Sequence, residues 1–259
     1  MQQIIAAAIQ FNVQQGDVEA NLSHVRDALA RVADRGAQLA VLPELWSTGF
    51  AYRTLTELAQ RTDAVVAELQ ELSVRHNLVI VGSQPEPAGD NRVFNTIHVI
   101  DRGRIAATYR KLHLFSLLGE DTAFKGGERW CLAETSLGKI GVIICYDLRF
   151  PELSRRLALE GADLICVPAQ WPKPRQEHWR TLLRARAIEN QLPVVAANAC
   201  GLIGKLDFFG MSMVIDHCGE VLADAGERPG EVLATLDRQA MTAWRAQIPC
   251  FADRRPDLY

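Results

Sequence analysis

The feature that most constrains the fold is a stretch in the middle of the chain, residues 141–153, with the sequence GVIICYDLRFPEL. Its β-branched run indicates a buried strand that stops at Cys145, and Pro151 then marks the start of a helix. Cys145 is therefore predicted at the carboxyl end of a strand, where α/β sheets collect functional residues. Nearby backbone N–H groups could stabilise an anion formed there. A small buried cysteine fits the same pattern, so this stretch alone leaves both interpretations open.

The rest of the chain alternates short apolar runs with segments of helical period. Strands are predicted at 4–10, 39–42, 78–83, 93–101, 105–109, 131–135, 139–144, 163–168, 194–200, 211–216, 220–223 and 232–237. Helices are predicted at 17–36, 63–76, 151–160 and 176–190. Alternating helices and strands with interspersed hairpins predict an α/β layered domain with mixed sheets. We expect one domain over residues 1–259.

Two segments lack a regular pattern. Residues 111–129 read as a long irregular loop, and a loop of this length in a folded domain is usually functional or mobile. Residues 238–259 read as a short helix followed by irregular chain rich in aromatic residues and proline. We expect this C-terminal tail to pack at a subunit interface.

The composition excludes several classes of protein. Hydrophobic residues make up 48% of the chain and charged residues 23%, as in ordinary globular proteins. A net charge of -3 without Lys/Arg clusters argues against a nucleic-acid partner, and the longest apolar runs are too short for a membrane helix. The N-terminal sequence MQQIIAAAIQFN has no signal-peptide pattern. Six widely spaced cysteines then indicate free thiols in a reducing, cytoplasmic compartment.

Three polar residues stand at the ends of predicted strands: Glu44, Lys111 and Cys145. Each alone fits an ordinary solvated or buried residue, since surfaces are rich in Glu and Lys. Together they make a coherent site, because a thiol is only slightly ionised at neutral pH and a neighbouring carboxylate can take its proton. A nearby ammonium group would stabilise the thiolate and a later oxyanion. His113 is the nearest histidine, and we interpret it as a loop residue.

The segments LPELWSTGF, YRKLHLF and GVIICYDLRFPELSRRLALEGADLICVPAQWP resemble the nitrilase superfamily of carbon–nitrogen hydrolases. The resemblance runs from about residue 4 to the last predicted strand, and the three motifs occur in the family's order. It implies an α-β-β-α four-layer sandwich that forms a homodimer. It also implies no cofactor.

The resemblance assigns roles to the matching residues. Glu44 deprotonates Cys145, which attacks an amide carbon and forms a thioester, and Glu44 then activates the hydrolytic water. Lys111 and the backbone N–H of Tyr146 hold the oxyanion. Many members carry a second glutamate after the lysine.

Two residues of this chain could be that second glutamate. Glu120 is the better match, whereas Glu128 looks like a solvated loop charge. Loop lengths differ in this region of the family, so both remain candidates.

The residues after the cysteine, CYDLRFPE, resemble the ω-amidase and deaminated-glutathione amidase branches. Nitrile-cleaving members tend to have Cys-Trp-Glu there, and N-carbamoyl amino acid hydrolases Cys-Asn-Asp. The segment AQWPKPRQEHWRTLLRARAIENQ looks most like ω-amidases, which hydrolyse monoamides of small dicarboxylates such as 2-oxoglutaramate and 2-oxosuccinamate. The resemblance thus implies a short ω-amide substrate with a free carboxylate, the other branches remaining as alternatives.

A free carboxylate on the substrate requires a cationic or hydrogen-bonding partner. Candidates for that partner are Arg149, Lys173, Arg175 and Tyr52, and candidates for the pocket lining are Phe115, Trp171 and Phe208. Arg149 could instead pair with Asp147 or Glu152, and the aromatic residues could be ordinary packing groups.

Functions of other classes remain open. A catalytically silent binding module would have no need of the three polar residues together. A redox role for Cys145 lacks a nearby resolving cysteine in the sequence. The six histidines show no ligand spacing with carboxylates or thiols, so we expect no metal. No glycine-rich nucleotide motif is present.

Overall fold

Two six-stranded β-sheets lie face to face in the computed structural model, which describes residues 3–258. The strands are β1 (Gln3–Gln10), β2 (Leu39–Val41), β3 (Val79–Pro87), β4 (Val93–Asp101), β5 (Arg104–Arg110), β6 (Leu132–Thr135), β7 (Gly138–Val142), β8 (Leu164–Ala169), β9 (Val194–Asn198), β10 (Cys200–Ile203), β11 (Leu206–Phe209), β12 (Met213–Ile215), β13 (Val221–Asp224) and β14 (Gly230–Asp237). The helices are α1 (Val18–Asp34), α2 (Leu55–Ala59), α3 (Thr62–His76), α4 (Glu120–Ala123), α5 (Pro151–Leu159), α6 (Gln176–Asn190) and α7 (Arg238–Gln247).

The two sheets have related topologies. The strand order is β14-β1-β2-β3-β4-β5 in the first sheet and β13-β12-β9-β8-β7-β6 in the second. In each sheet three neighbouring strands are parallel, β1-β2-β3 and β7-β8-β9, and antiparallel strands flank them. Strands β10 and β11 form a separate hairpin.

Alternating side chains of β1 show how the layers form. Ile4, Ala6 and Ala8 belong to the core between the sheets, whereas Ala7 and Ile9 belong to a second core with α1 and α3. This is the period of two expected for a strand that is buried on both faces. Helices α5 and α6 pack against the second sheet. The expected α-β-β-α four-layer sandwich is confirmed.

The structure corrects the element predictions at several points, and the strand predicted at 78–83 continues to Pro87. The strand predicted to reach residue 144 ends at Val142, and residues 145–149 form a 3₁₀ turn. The 111–129 loop contains a 3₁₀ turn and α4. The strand predicted at 194–200 is interrupted after Asn198, and the β10–β11 hairpin follows. Helix α2 was missed because five residues are too few to show a helical period.

The beginning of the C-terminal tail docks on its own chain. Asp237 caps α7, and Arg245 donates to the carbonyl groups of Asn190 and Gln191 at the end of α6. The Gln191 amide in turn donates to the Ile248 carbonyl. Packing of residues 238–259 at a subunit interface stays a prediction. Among residues 3–258, no helix is both long and apolar enough to cross a membrane.

Candidate active site

Glu44 follows β2 and is completely buried between the two sheets. Its Oε1 accepts a hydrogen bond from Asn95 Nδ2 at 2.8 Å, and its Oε2 accepts one from the Gln170 N–H at 3.0 Å. The next residue, Leu45, has a φ of 43°, and its N–H donates to Ser83 Oγ at 2.8 Å. The turn after β2 is therefore held in an unfavourable conformation, and the Glu44 carboxylate has a fixed orientation.

Lys111 follows β5, and its side chain is also completely buried. Its Nζ donates to Glu44 Oε1 at 2.8 Å and to Glu120 Oε1 and Oε2 at 2.9 and 2.7 Å. Burial of an ammonium group is expensive unless it is paired and hydrogen-bonded. Two carboxylates meet that requirement, so Lys111 holds both glutamates in one cluster.

Cys145 begins the 3₁₀ turn after β7 and has a φ of 45°, a conformation that L-residues rarely adopt. Its thiol donates to the Gln170 carbonyl oxygen, with 3.8 Å between Sγ and the oxygen, and lies close enough to the Glu44 carboxylate to feel its charge. Among residues 3–258, the N–H of Tyr146 has no hydrogen-bond acceptor. The turn therefore presents the sulfur and a free N–H donor at the same place.

The cluster perturbs the proton affinity of its members. Burial alone would lower the pKa of Lys111, but the carboxylates of Glu44 and Glu120 outweigh burial and raise that pKa well above its usual value. Burial raises the pKa of Glu120 despite the attraction of Lys111. Burial, together with the charges of Glu44 and Glu120, raises the pKa of Cys145 well above its usual value. The resting thiol is therefore protonated, beside a carboxylate that can accept the proton.

The structure separates the two candidates for the second glutamate. Glu120 lies at the start of α4, is 2% exposed, and contacts Lys111. Its Oε2 also accepts a hydrogen bond from the Phe115 N–H at 3.1 Å. Glu128 is exposed and lines a different surface cavity with Arg110 and Lys125.

Cys145 opens into a narrow cavity. Its lining residues are Phe50, Phe115, Leu118, Glu120, Cys145, Tyr146, Arg149, Gln170, Trp171, Pro172 and Arg175. Of the predicted substrate-binding residues, Arg149, Arg175, Phe115 and Trp171 thus lie around the cysteine. The walls are mainly apolar and aromatic, with two guanidinium groups.

Arg149 has no carboxylate partner within residues 3–258, so it forms neither of the ion pairs considered above. Its guanidinium lies 4.6 Å from the centre of the Trp171 ring, and its Nη2 is 3.4 Å from His178 Nδ1. Arg175 similarly lies 5.8 Å from the Phe115 ring. Aromatic contacts hold both cations, and Arg149 also contacts His178, so only the remaining N–H groups of the two guanidinium groups can bind an anion.

The other suggested substrate contacts do not line the cavity at Cys145. Lys173 pairs with Asp207 at 3.2 Å, which offsets its charge. Tyr52 lines a neighbouring cavity, and its hydroxyl donates to the Leu118 carbonyl at 2.9 Å. Phe208 is buried in the core beneath the first sheet. A role for Tyr52 in substrate binding stays a prediction.

Three residues that orient the site were missed from the sequence. Gln170 directly follows the buried strand β8, the same signal that singled out Glu44 and Cys145. Asn95 lies within β4, and no local pattern distinguishes it from a structural asparagine. Asp147 was read as a partner for Arg149, but its carboxylate instead holds the turn of Cys145.

One group of residues departs from the expectation that no histidine has metal-ligand spacing. Ligand atoms of Asp216, His217 and Cys218 all lie within 4.8 Å of one another in the turn after β12. One oxygen of Asp216 already accepts hydrogen bonds from the N–H groups of Cys218 and Glu220. The geometry of this turn is thus explained by its own hydrogen bonds.

A four-layer sandwich with a cysteine, a lysine and two glutamates at one end defines the class of the nitrilase superfamily. Residues 5–246 match the family model for carbon-nitrogen hydrolase, and the chain belongs to this family. It is a hydrolase that acts on amides.

Three similar proteins illustrate the relationship. The 2-oxoglutaramate amidase of Bacillus subtilis is 36% identical over 255 residues, which cover 98% of each chain. The chloroplastic omega-amidase of Arabidopsis thaliana is 34% identical over 260 residues, covering 94% of this chain and 70% of that one. A structure of a mutant amidase from Nesterenkonia sp. AN1 is 30% identical, with a TM-score of 0.87 and coverage of 98% and 95%. In that structure the acetamide moiety of fluoroacetamide is covalently added at the active site cysteine.

Proposed function

We propose that this chain is an ω-amidase, which cleaves the terminal amide of small dicarboxylate monoamides to the acid and ammonia. The observation that carries the proposal is the position of the Cys145 thiol. It lies between the buried Glu44–Lys111–Glu120 cluster and a small cavity with two arginines that form no ion pair among residues 3–258. The relatives named 2-oxoglutaramate amidase and omega-amidase support the same substrate class.

In the proposed first half-reaction, Glu44 takes the thiol proton while the sulfur attacks the amide carbon. The carbonyl oxygen becomes an oxyanion, which the Lys111 ammonium group and the Tyr146 N–H stabilise. The C–N bond then breaks, and ammonia leaves with the proton that Glu44 returns. The product of this step is a thioester on Cys145. Proximity and fixed orientation favour the attack, because neither the thiol nor the carboxylate can rotate away.

In the second half-reaction, Glu44 takes a proton from water, and the hydroxide attacks the thioester carbon. The C–S bond breaks, the acid leaves, and Cys145 recovers its proton. Glu120 keeps Lys111 charged and fixed throughout, because its two oxygens both accept hydrogen bonds from Nζ. The same base thus serves both half-reactions.

The substrate carboxylate is proposed to bind Arg149 and Arg175 at the far side of the cavity. Guanidinium groups match carboxylates in geometry and charge. The cavity is narrow, which favours a short chain between the carboxylate and the amide. Simple nitriles and unsubstituted amides lack the anionic group and would bind weakly.

The test is ammonia release from 2-oxoglutaramate and succinamate, with a simple nitrile and an N-carbamoyl amino acid measured in parallel. We expect turnover of the two ω-amides by the native chain and none by the Cys145→Ala variant, which loses the nucleophile. An Arg149→Gln variant should raise KM for the ω-amides about tenfold or more, since a charge-assisted hydrogen bond contributes about 1.5–3 kcal/mol. Turnover of the nitrile or carbamoyl substrate alone would contradict the ω-amidase assignment and retain the thiol mechanism.

A further inference from the structure

Asp147 is a completely buried carboxylate that the proposed chemistry does not use. Each of its oxygens accepts two hydrogen bonds. Oδ2 accepts from the Tyr109 hydroxyl at 2.7 Å and the Ile144 N–H at 2.9 Å. Oδ1 accepts from the His113 N–H at 3.0 Å and His113 Nδ1 at 2.8 Å. A buried carboxylate is expensive unless donors surround it, and four donors are a complete set.

These donors belong to two different segments. Ile144 immediately precedes Cys145, and both Ile144 and Asp147 belong to the turn that follows β7 of the second sheet. Tyr109 and His113 lie two residues before and two residues after Lys111, which follows the edge strand of the first sheet. One carboxylate therefore connects the segment of the nucleophile to the segment of the lysine.

The connection is reinforced on both sides. The Tyr109 hydroxyl also accepts a hydrogen bond from the Leu112 N–H at 3.3 Å, which fixes the chain on the far side of Lys111. The His113 ring stacks on Phe150 with 3.7 Å between ring centroids and an angle of 10°. Phe150 ends the turn that begins at Cys145. The lysine segment thus contacts the cysteine turn through both hydrogen bonds and stacking.

We propose that Asp147 is a positioning residue that fixes the Cys145 sulfur relative to the Lys111 ammonium group, acting through Tyr109 and His113. The proposal rests on the proposed function in one respect, namely that Cys145 and Lys111 act together on the amide. Cys145 has a positive φ, a conformation that persists only where the surroundings determine it. The Asp147–Ile144 hydrogen bond supplies that restraint at the residue directly before Cys145.

The substitution Asp147→Asn tests whether Asp147 positions its neighbours through hydrogen bonds or only fills space. The side chain keeps its shape, but an amide has only one oxygen and an NH₂ group that donates. In either orientation the NH₂ group would face donors, either those of His113 or those of Tyr109 and Ile144. We expect kcat to fall about 100-fold while KM changes less than threefold, because small displacements of reacting groups cost about this factor. The aromatic contacts of Arg149 and Arg175 do not involve Asp147.

Variants of the two donor residues test whether Asp147 acts through Tyr109 and His113. Tyr109→Phe and His113→Ala should each lower kcat about 30-fold, and the double variant should lose about 100-fold, as Asp147→Asn does, rather than the roughly 1,000-fold expected of independent effects. Effects of groups that act through one partner are not additive. His113→Asn keeps an N–H donor near the position of Nδ1 and should restore most of the activity lost in His113→Ala. A merely structural role would not give this recovery of kcat at equal stability.

The matched control is Ser73→Ala. It removes the buried hydrogen bond from Ser73 Oγ to the Leu78 carbonyl at 2.7 Å, where α3 meets β3. The melting temperature and the kcat of this variant, measured together, show how much a general loss of stability lowers kcat. We expect kcat to fall less than twofold.

A second readout does not depend on the substrate. The rate at which iodoacetamide alkylates Cys145, followed by peptide mass spectrometry, should fall at least fivefold in folded Asp147→Asn and stay unchanged in Ser73→Ala. If the native chain hydrolyses no amide, the proposed function fails, and alkylation still decides the role of Asp147. Folded Asp147→Asn with native kcat and native alkylation would overturn the inference. If the losses of kcat in Tyr109→Phe and His113→Ala simply multiplied in the double variant, the two residues would act independently. That result would overturn the proposal that both act through Asp147.

Discussion

At the scale of single residues, the Cys145 thiol beside Glu44 shows how burial keeps a nucleophile protonated. Both side chains are at least nine-tenths buried, and the pKa of the thiol is raised by burial and by the neighbouring carboxylates. A thiolate therefore does not accumulate before the substrate arrives. The proposed base and nucleophile exchange one proton inside the cavity, so the net charge of the cluster stays constant during the attack.

Glu44→Gln should make the Cys145 thiol easier to ionise but should lower the rate of turnover. Removing the carboxylate removes a charge that raises the pKa of Cys145, so that pKa should fall and thiolate should form at lower pH. The kcat value should nevertheless fall about 10²–10⁴-fold, because the general base is lost. Ultraviolet absorbance of thiolate against pH, corrected by the Cys145→Ala variant, measures the first effect.

The control for this substitution is Glu128→Gln, which removes an exposed glutamate outside the cluster. It should leave both the thiol titration and kcat unchanged. A Cys145 pKa that rises or stays constant in Glu44→Gln would contradict the electrostatic description of the site.

Much of the site could be predicted at this scale. Glu44, Lys111 and Cys145 each follow a strand, and the resemblance to a known family placed them together with Glu120. Asn95 and Asp147 could not be found this way, because their partners are distant in the chain. The hydrogen bond from Asn95 to Glu44 spans 51 residues, and that from Tyr109 to Asp147 spans 38. Only the tertiary fold brings such pairs together.

At the scale of elements, the end of β5 determines where Lys111 lies. The Lys111 N–H donates to the Asn95 carbonyl at 2.9 Å, and its own carbonyl accepts from the Gly127 N–H at 2.8 Å. A Cβ atom added at Gly127 would meet the carbonyl group of Arg110, with 2.9 Å to its carbon. Gly127 is therefore required for the close approach of the returning loop to the end of β5.

Gly127→Ala should displace the end of β5 and with it Lys111. We expect a loss of about 1–3 kcal/mol in the free energy of unfolding, because the added methyl group meets backbone rather than a flexible side chain. The kcat value should fall about 10–100-fold. Gly126→Ala is the matched control, since its Cβ would lie 3.5 Å from the nearest atom, the Leu112 carbonyl oxygen. Equal effects of the two substitutions on denaturant unfolding and kcat would contradict this account.

Element boundaries were less predictable than element types. The apolar run before Cys145 continues to Ile144, so the pattern extended the strand past its observed end at Val142. The Asp147 carboxylate accepts from the Ile144 N–H and begins the 3₁₀ turn there. A side chain three residues away thus ends the strand, which hydrophobic periodicity cannot reveal.

At the scale of the whole molecule, the packing of two sheets explains why the site lies between them. Glu44 and Lys111 follow strands of the first sheet, whereas Cys145 and Gln170 follow strands of the second. Neither sheet alone carries both the proposed base and the proposed nucleophile. The alternation of helices and strands could predict the layered class, but which strands share a sheet depends on contacts distant in sequence. The four-layer arrangement came from the resemblance to the family.

The most direct test of the central claim is detection of a covalent intermediate on Cys145. The native chain is mixed with excess succinamate, stopped with acid within milliseconds, and measured by intact and peptide mass spectrometry. We predict a mass increase equal to the substrate minus ammonia, located on the peptide that contains Cys145 and absent in Cys145→Ala. Ammonia release at the native rate without an adduct, or with Cys145→Ala still active, would contradict thioester catalysis at Cys145.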